Sequence, residues 1–199
     1  MKTTIHILFI GLILTFAACT GNSQPSQAQN SQHDDAYIGT WEDEMQSGYE
    51  YELGEEEWKD RLSEDEYYIL RKAGTERPNS SPLNKISEPG VFYSAATGQP
   101  LFTTETKFKS GTGWPSFYKP ISEEAVVLKE DKSLGMTRVE VVDSSSGSHL
   151  GHVFKDGPKP TGLRYCLNGD ALIFVADGEE PPAIVKEYLE KHPEAKSEI

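Results

Sequence analysis

Three short runs decide the fold: Ala125-Val126-Val127-Leu128, residues 137–142, and His152-Val153-Phe154. Each is rich in β-branched or aromatic residues, and each is bounded by turn-forming residues. Working outward, Val91-Phe92-Tyr93, Leu101-Phe102 and residues 171–175 have the same character. Gly and Pro punctuate the chain at 98–100, 111–115, 157–162 and 169. No long helical pattern intervenes, so a parallel βαβ sheet is excluded. The pattern predicts a mainly β (α+β) domain of antiparallel strands.

Helical signals lie at the two ends of this β region. Trp58 and Leu62 are four apart, and the acids at 55–57 suit a helix amino end. Ser63-Glu64-Asp65-Glu66 has capping-box spacing, with Tyr67, Leu70 and Ala73 following on one side and Gly74 as a stop. After Asp177, Pro181-Pro182 opens a stretch in which Ile184, Val185, Tyr188 and Leu189 have the spacing of a short closing helix.

The chain of 199 residues is 36% hydrophobic and 10% aromatic, enough for a core. Its two cysteines exclude a disulfide-dense scaffold and a four-cysteine zinc site. The net charge of −13 argues against nucleic acid as a partner. That charge is concentrated: residues 34–66 hold 14 acidic residues against Lys59 and Arg61. The remainder is close to neutral.

The first 18 residues read as a targeting signal. Lys2 is followed by an apolar run from Ile5 to Phe16, too short for a comfortable permanent span. Phe16-Ala17-Ala18-Cys19 resembles the lipobox of bacterial lipoproteins. The resemblance implies cleavage before Cys19, lipid attachment to its sulfur and an extracytoplasmic, membrane-anchored protein; an ordinary secretory signal is the alternative. The chain thus divides into a signal at 1–18, a tether and acidic leader at 19–54, a domain at 55–177 and a tail at 178–199. Residues 20–36 are polar and lack aromatics, which favours a flexible tether.

Cys166 is then the one free thiol of the mature chain, in Arg164-Tyr165-Cys166-Leu167-Asn168. A strand there places Arg164, Cys166 and Asn168 on one face. A guanidinium beside a thiol favours the nucleophilic thiolate, and Asn168 is suited to donate a hydrogen bond to the sulfur or a substrate. The same residues also fit a buried, inert cysteine. His149-Leu150-Gly151-His152 supplies two imidazoles able to deliver a proton, or a structural pair; no third ligand supports a metal. Ser110-Gly111-Thr112-Gly113-Trp114-Pro115-Ser116-Phe117 offers an indole wall for a small apolar group, or a packed turn.

Together these stretches, with Gly74-Thr75-Glu76-Arg77-Pro78 before them and Asp156-Gly157-Pro158-Lys159-Pro160-Thr161-Gly162 between them, resemble the B-type methionine sulfoxide reductases. The likeness runs from about Trp58 to Val175. It implies two antiparallel sheets with small amino-terminal helices, and reduction of methionine-R-sulfoxide in oxidised proteins. Matched by position, Cys166 is the nucleophile, His149 and His152 the active-site histidines, and Trp114 the contact for the substrate methyl group. Phe154 joins Trp114 on the substrate side, while Asp156, Arg164 and Asn168 are the polar partners around the thiol.

Two departures from the family bear on mechanism. Many members carry a resolving cysteine where this chain has Thr112, so the expected cycle has one cysteine and an external reductant, a thioredoxin-like protein or small thiol. Many also hold zinc through two Cys-x-x-Cys pairs; the matching Ser94, Thr97, Asp143 and Ser146 lack thiolates, and no metal or cofactor is expected. Two rivals are a binding module on the same fold and a general thiol peroxidase. A complete set of catalytic residue types argues against the first, and the second lacks a motif of its own.

Overall fold

The computed structural model describes residues 48–197 and 199. The signal at 1–18, Cys19, the tether and the leader as far as residue 47 lie outside the described residues. Among the described residues no helix is long and apolar enough to cross a membrane.

Eight strands are formed among these residues: β1 (Gly90–Ser94), β2 (Pro100–Thr103), β3 (Ser116–Phe117), β4 (Val126–Asp131), β5 (Arg138–Asp143), β6 (His149–Phe154), β7 (Arg164–Leu167) and β8 (Leu172–Ala176). They make two antiparallel sheets, ordered β2-β1-β8 and β3-β7-β6-β5-β4. This is the mainly β architecture expected from the short, turn-bounded runs. Three details differ. β3 is only two residues long, too short to leave a pattern in the sequence. β4 runs on through the charged Lys129-Glu130-Asp131 because these residues pair with Glu140, Val139 and Arg138 of β5. β6 starts at His149, three residues before its apolar run.

The helices α1 (Glu55–Arg61) and α2 (Glu64–Lys72) precede the sheets. The capping box of α2 is formed: Glu66 N–H donates to Ser63 Oγ at 3.3 Å, and Ser63 N–H to Glu66 Oε2 at 2.8 Å. The helix ends one residue earlier than Gly74 suggests. Ala73 takes the left-handed conformation (φ 50°), and Gly74 lies under the Tyr68 ring, where a side chain would collide. α3 (Ala183–Lys191) follows Pro182 as the spacing predicts.

One face of each sheet builds the core. Phe92 and Phe102 of the small sheet meet Phe117 and Tyr165 of the large one, with Phe92 and Phe117 edge-on at 4.9 Å. Such pairs add about 0.5–1.5 kcal/mol beyond burial alone. Trp58, Ile69 and Leu70 from the amino-terminal helices join Val141, Leu150, Val153 and Leu167 in this core. Val91 and Tyr93 alternate with Phe92 and pack instead on Val185, Tyr188 and Leu189 of α3. The second face of the large sheet keeps its polar side chains, and it carries the site.

Candidate active site

β5 and β6 are out of simple register. Val141 lies opposite Gly151 and Val142 opposite His149, so Leu150 is an extra residue, a β-bulge. In a regular strand His149 and His152, three apart, would face opposite sides. The bulge restores them to one side, with ring centroids 5.4 Å apart, while the Leu150 side chain goes into the core. Asn168 holds the bulge: its backbone N–H and its Nδ2 both donate to the Leu150 carbonyl, at 2.9 and 3.1 Å.

β7 then sets Cys166 beside these histidines. Cys166 lies directly opposite His152 on one flank and Ser116 of β3 on the other. β6 and β7 approach closely because residue 151 is glycine; a Cβ there would strike the Cys166 carbonyl. Cys166 is partly exposed, and Thr112 Oγ1 lies 3.8 Å from its Sγ. Arg164, on the same face of β7, has the sulfur as a charge partner. Its guanidinium is forked onto Asp156, with both N–H···O distances 2.9 Å, and covers the Phe154 ring at 4.4 Å. Asp156 in the first place, and the Cys166 sulfur among lesser causes, hold the guanidinium more firmly charged. The same bond to Arg164 pulls the Asp156 carboxyl below its ordinary value.

Each histidine has a carboxylate partner that the sequence reading missed. Glu140 Oε1 lies 2.6 Å from His149 Nδ1, and this bond is the main cause lowering the Glu140 carboxyl. His149 is 4% exposed, and its Nε2 is buried without a hydrogen-bond partner. Asp131 Oδ2 lies 2.7 Å from His152 Nε2 and also accepts from Arg138 Nη2 at 2.6 Å. Burial is the leading influence on His152 and pushes its imidazole down, against the pull of Asp131. Bonds from Ser133, then His152, hold Asp131 far below the usual carboxylate range. Arg138 and Glu140 alternate with valines on β5, a period of two that could have marked them as lining the polar face. Nothing in the sequence marked Asp131.

The structure brings Cys166, His149, His152, Phe154, Asp156 and Arg164 together on one surface. Asn168 is placed differently from the expectation. β7 ends at Leu167, and the Asn168 amide is engaged by Leu150 and by the Glu76 N–H, not by the sulfur. Trp114 is half-buried beside the end of β7, where Pro115 accepts the Leu167 N–H at 3.0 Å. Its indole Nε1–H donates to the Glu76 carbonyl at 3.3 Å.

The four positions matched to zinc ligands do converge, as a hydrogen-bonded cluster. Asp143 is fully buried; its Oδ2 accepts from Thr97 Oγ1 at 2.8 Å, and its Oδ1 from the N–H groups of Ser145 and Ser146 at 2.7 and 3.1 Å. The Ser94 hydroxyl is a further partner. Three hydroxyls and one carboxylate already committed to internal donors do not fit zinc, which takes thiolate, imidazole or free carboxylate ligands.

Fold and site together make a domain of two antiparallel sheets with a partly exposed cysteine set beside two histidines. Residues 62–176 match the SelR domain. A peptide methionine sulfoxide reductase MsrB of Methanosarcina barkeri is 57% identical over 128 residues, which cover 64% of this chain and 90% of the relative. The MsrB of Leptospira interrogans is 48% identical over 126 residues, covering 63% and 96%. The chain belongs to this family, the B-type peptide methionine sulfoxide reductases.

Proposed function

We propose that the protein reduces methionine-R-sulfoxide in oxidised proteins through Cys166 alone, with an external thiol completing the cycle. The observation that supports this best is the row formed by Cys166 and His152 on facing strands, with Arg164 and Thr112 at the sulfur and the unpartnered Nε2 of His149 on the same face. The Cys166 thiolate attacks the sulfoxide sulfur while a protonated imidazole delivers a proton to its oxygen. The oxygen passes to Cys166 as a sulfenic acid, and methionine leaves. A thiol then attacks the sulfenic sulfur, releasing water and leaving a mixed disulfide. A second thiol regenerates Cys166 and departs as the oxidised disulfide. Trp114 walls the substrate methyl group, with Phe154 beside it.

The test is an assay on R- and S-sulfoxide with dithiothreitol, beside Cys166→Ser. Reduction of the R epimer only, abolished by the substitution, is the expected result. Equal activity on both epimers, or activity in Cys166→Ser, would overturn the proposal.

Two features complete this reading. The protein works without zinc, since Ser94, Thr97, Asp143 and Ser146 supply no thiolate and their oxygens are engaged in internal hydrogen bonds; about one zinc per chain by elemental analysis would refute this. Cleavage before Cys19 and its lipidation anchor the enzyme outside the cytoplasm. Incorporation of a tagged fatty acid, lost in Cys19→Ala, is expected; equal labelling of that variant would contradict it.

A further inference from the structure

Residues 74–79 cross from the loop that carries Trp114 to the exit of β7, and Glu76 joins the two. Its carbonyl accepts the Trp114 indole N–H, and its own N–H donates to Asn168 Oδ1 at 3.1 Å. Its carboxylate Oε2 accepts the Asp170 N–H at 3.0 Å, and the Gly169 N–H bonds to the same group. Three residues on, the Asn79 N–H donates to the Gly113 carbonyl at 2.7 Å, beside Trp114.

This carboxylate is unusual for a structural residue. It is 8% exposed, burial pushes its carboxyl up, and its Oε1 has no hydrogen-bond partner. Its acceptors serve backbone amides of the turn that leaves β7, an arrangement that fixes position at a cost in desolvation. The turn approaches closely because residue 169 is glycine: a Cβ there would strike Ser81 and come within 3.3 Å of Glu76 Oε1.

We propose that Glu76 is a positioning residue for the reductase reaction, locking the Trp114 indole to the Asn168–Asp170 exit of the Cys166 strand. The inference rests on the reading of Trp114 as the wall of the substrate site. Glu76 touches no substrate; it sets the distance between the indole and the strand that bears the nucleophile. Substrate binding therefore depends on it more than the rate of the chemical step does.

Kinetics of the full chain on a peptide methionine-R-sulfoxide test this, with dithiothreitol as reductant. Glu76→Ala is expected to raise KM about tenfold and to change kcat less than about threefold. Glu76→Gln, which keeps an acceptor for the Asp170 N–H, is expected to restore KM to within about twofold of the parent. The indole N–H resonance of Trp114, assigned by its loss in Trp114→Phe, should shift in Glu76→Ala. Should Glu76→Ala fail to fold, Glu76→Asp, shorter by one methylene, is expected to raise KM in the same way. A folded Glu76→Ala with parental KM and an unmoved indole resonance would overturn the inference, provided Trp114→Ala raises KM. A parental KM in Trp114→Ala would instead overturn the assignment of Trp114 to the substrate.

Discussion

Thr112 Oγ1 and Cys166 Sγ lie 3.8 Å apart, although 54 residues separate them in the chain. The hydroxyl stands beside the Cys166 sulfur, and a hydroxyl cannot form a disulfide with it. Thr112→Cys would place a second thiol there, able to attack a Cys166 sulfenic acid and release water. After one turnover without reductant, mass spectrometry of the parent should show Cys166 carrying one added oxygen. The variant should instead have lost two hydrogens as an internal disulfide. Identical oxidised species in both proteins would refute this geometry of resolution.

Glu140 Oε1 holds His149 at Nδ1 through a 2.6 Å contact, so in the proposed reaction the proton is carried on the unpartnered Nε2. Glu140→Gln keeps the shape and removes the charge. It should lower kcat by about tenfold to a hundredfold, part of the roughly 10²–10⁴ that positioned proton transfer supplies. The carboxyl is lowered in the folded state, so its pairing persists above the ordinary carboxylate range and is lost as pH falls through the lowered value. The acid limb of the parent's pH–rate profile should therefore change shape in the variant. A superimposable profile would remove Glu140 from the proton path.

His152 gives stability a pH dependence of definite sign. Its imidazole is held below the ordinary value by burial, with Arg138 and His149 acting in the same sense and Asp131 against them. The folded state thus binds this proton less readily than the unfolded chain. Stability is full above about pH 6.5 and declines as pH drops through that value toward the lowered one. Thermal melts of the parent should show this decline, and His152→Gln should show a shallower one. Equal slopes would refute it.

Asp143 should matter for stability and little for catalysis. Asp143→Ala orphans the buried Ser146 N–H and the Thr97 hydroxyl, and leaves the Ser145 N–H only its 3.2 Å bond to Gln99 Oε1. Each orphaned buried donor costs about 1–3 kcal/mol. Denaturant titration should show a loss of at least about 2 kcal/mol, with kcat/KM unchanged under folding conditions. A variant as stable as the parent would show that this cluster does not hold the two turns together.

The sequence by itself determined the longer strands, the amino-terminal helices, the capping box at Ser63 and Glu66, and the ordered motifs around Cys166. These are local properties: side-chain periodicity, turn residues and caps act within a few positions of one another. The tertiary structure decided what those motifs do together. Strand alternation put Asn168 on the face of the thiol, suited to bond the sulfur or a substrate, whereas β7 stops at Leu167 and the Asn168 amide donates to the Leu150 carbonyl of the bulge. A regular strand would set His149 and His152 on opposite sides, and only the register of β6 against β5 puts them on one. Asp131 and Glu76 were illegible for the same reason. Their partners lie 21 residues away at His152 and 94 away at Asp170. Which face a residue presents, and which buried charge meets which donor, depends on how strands pair across the sheet, and no local pattern encodes that.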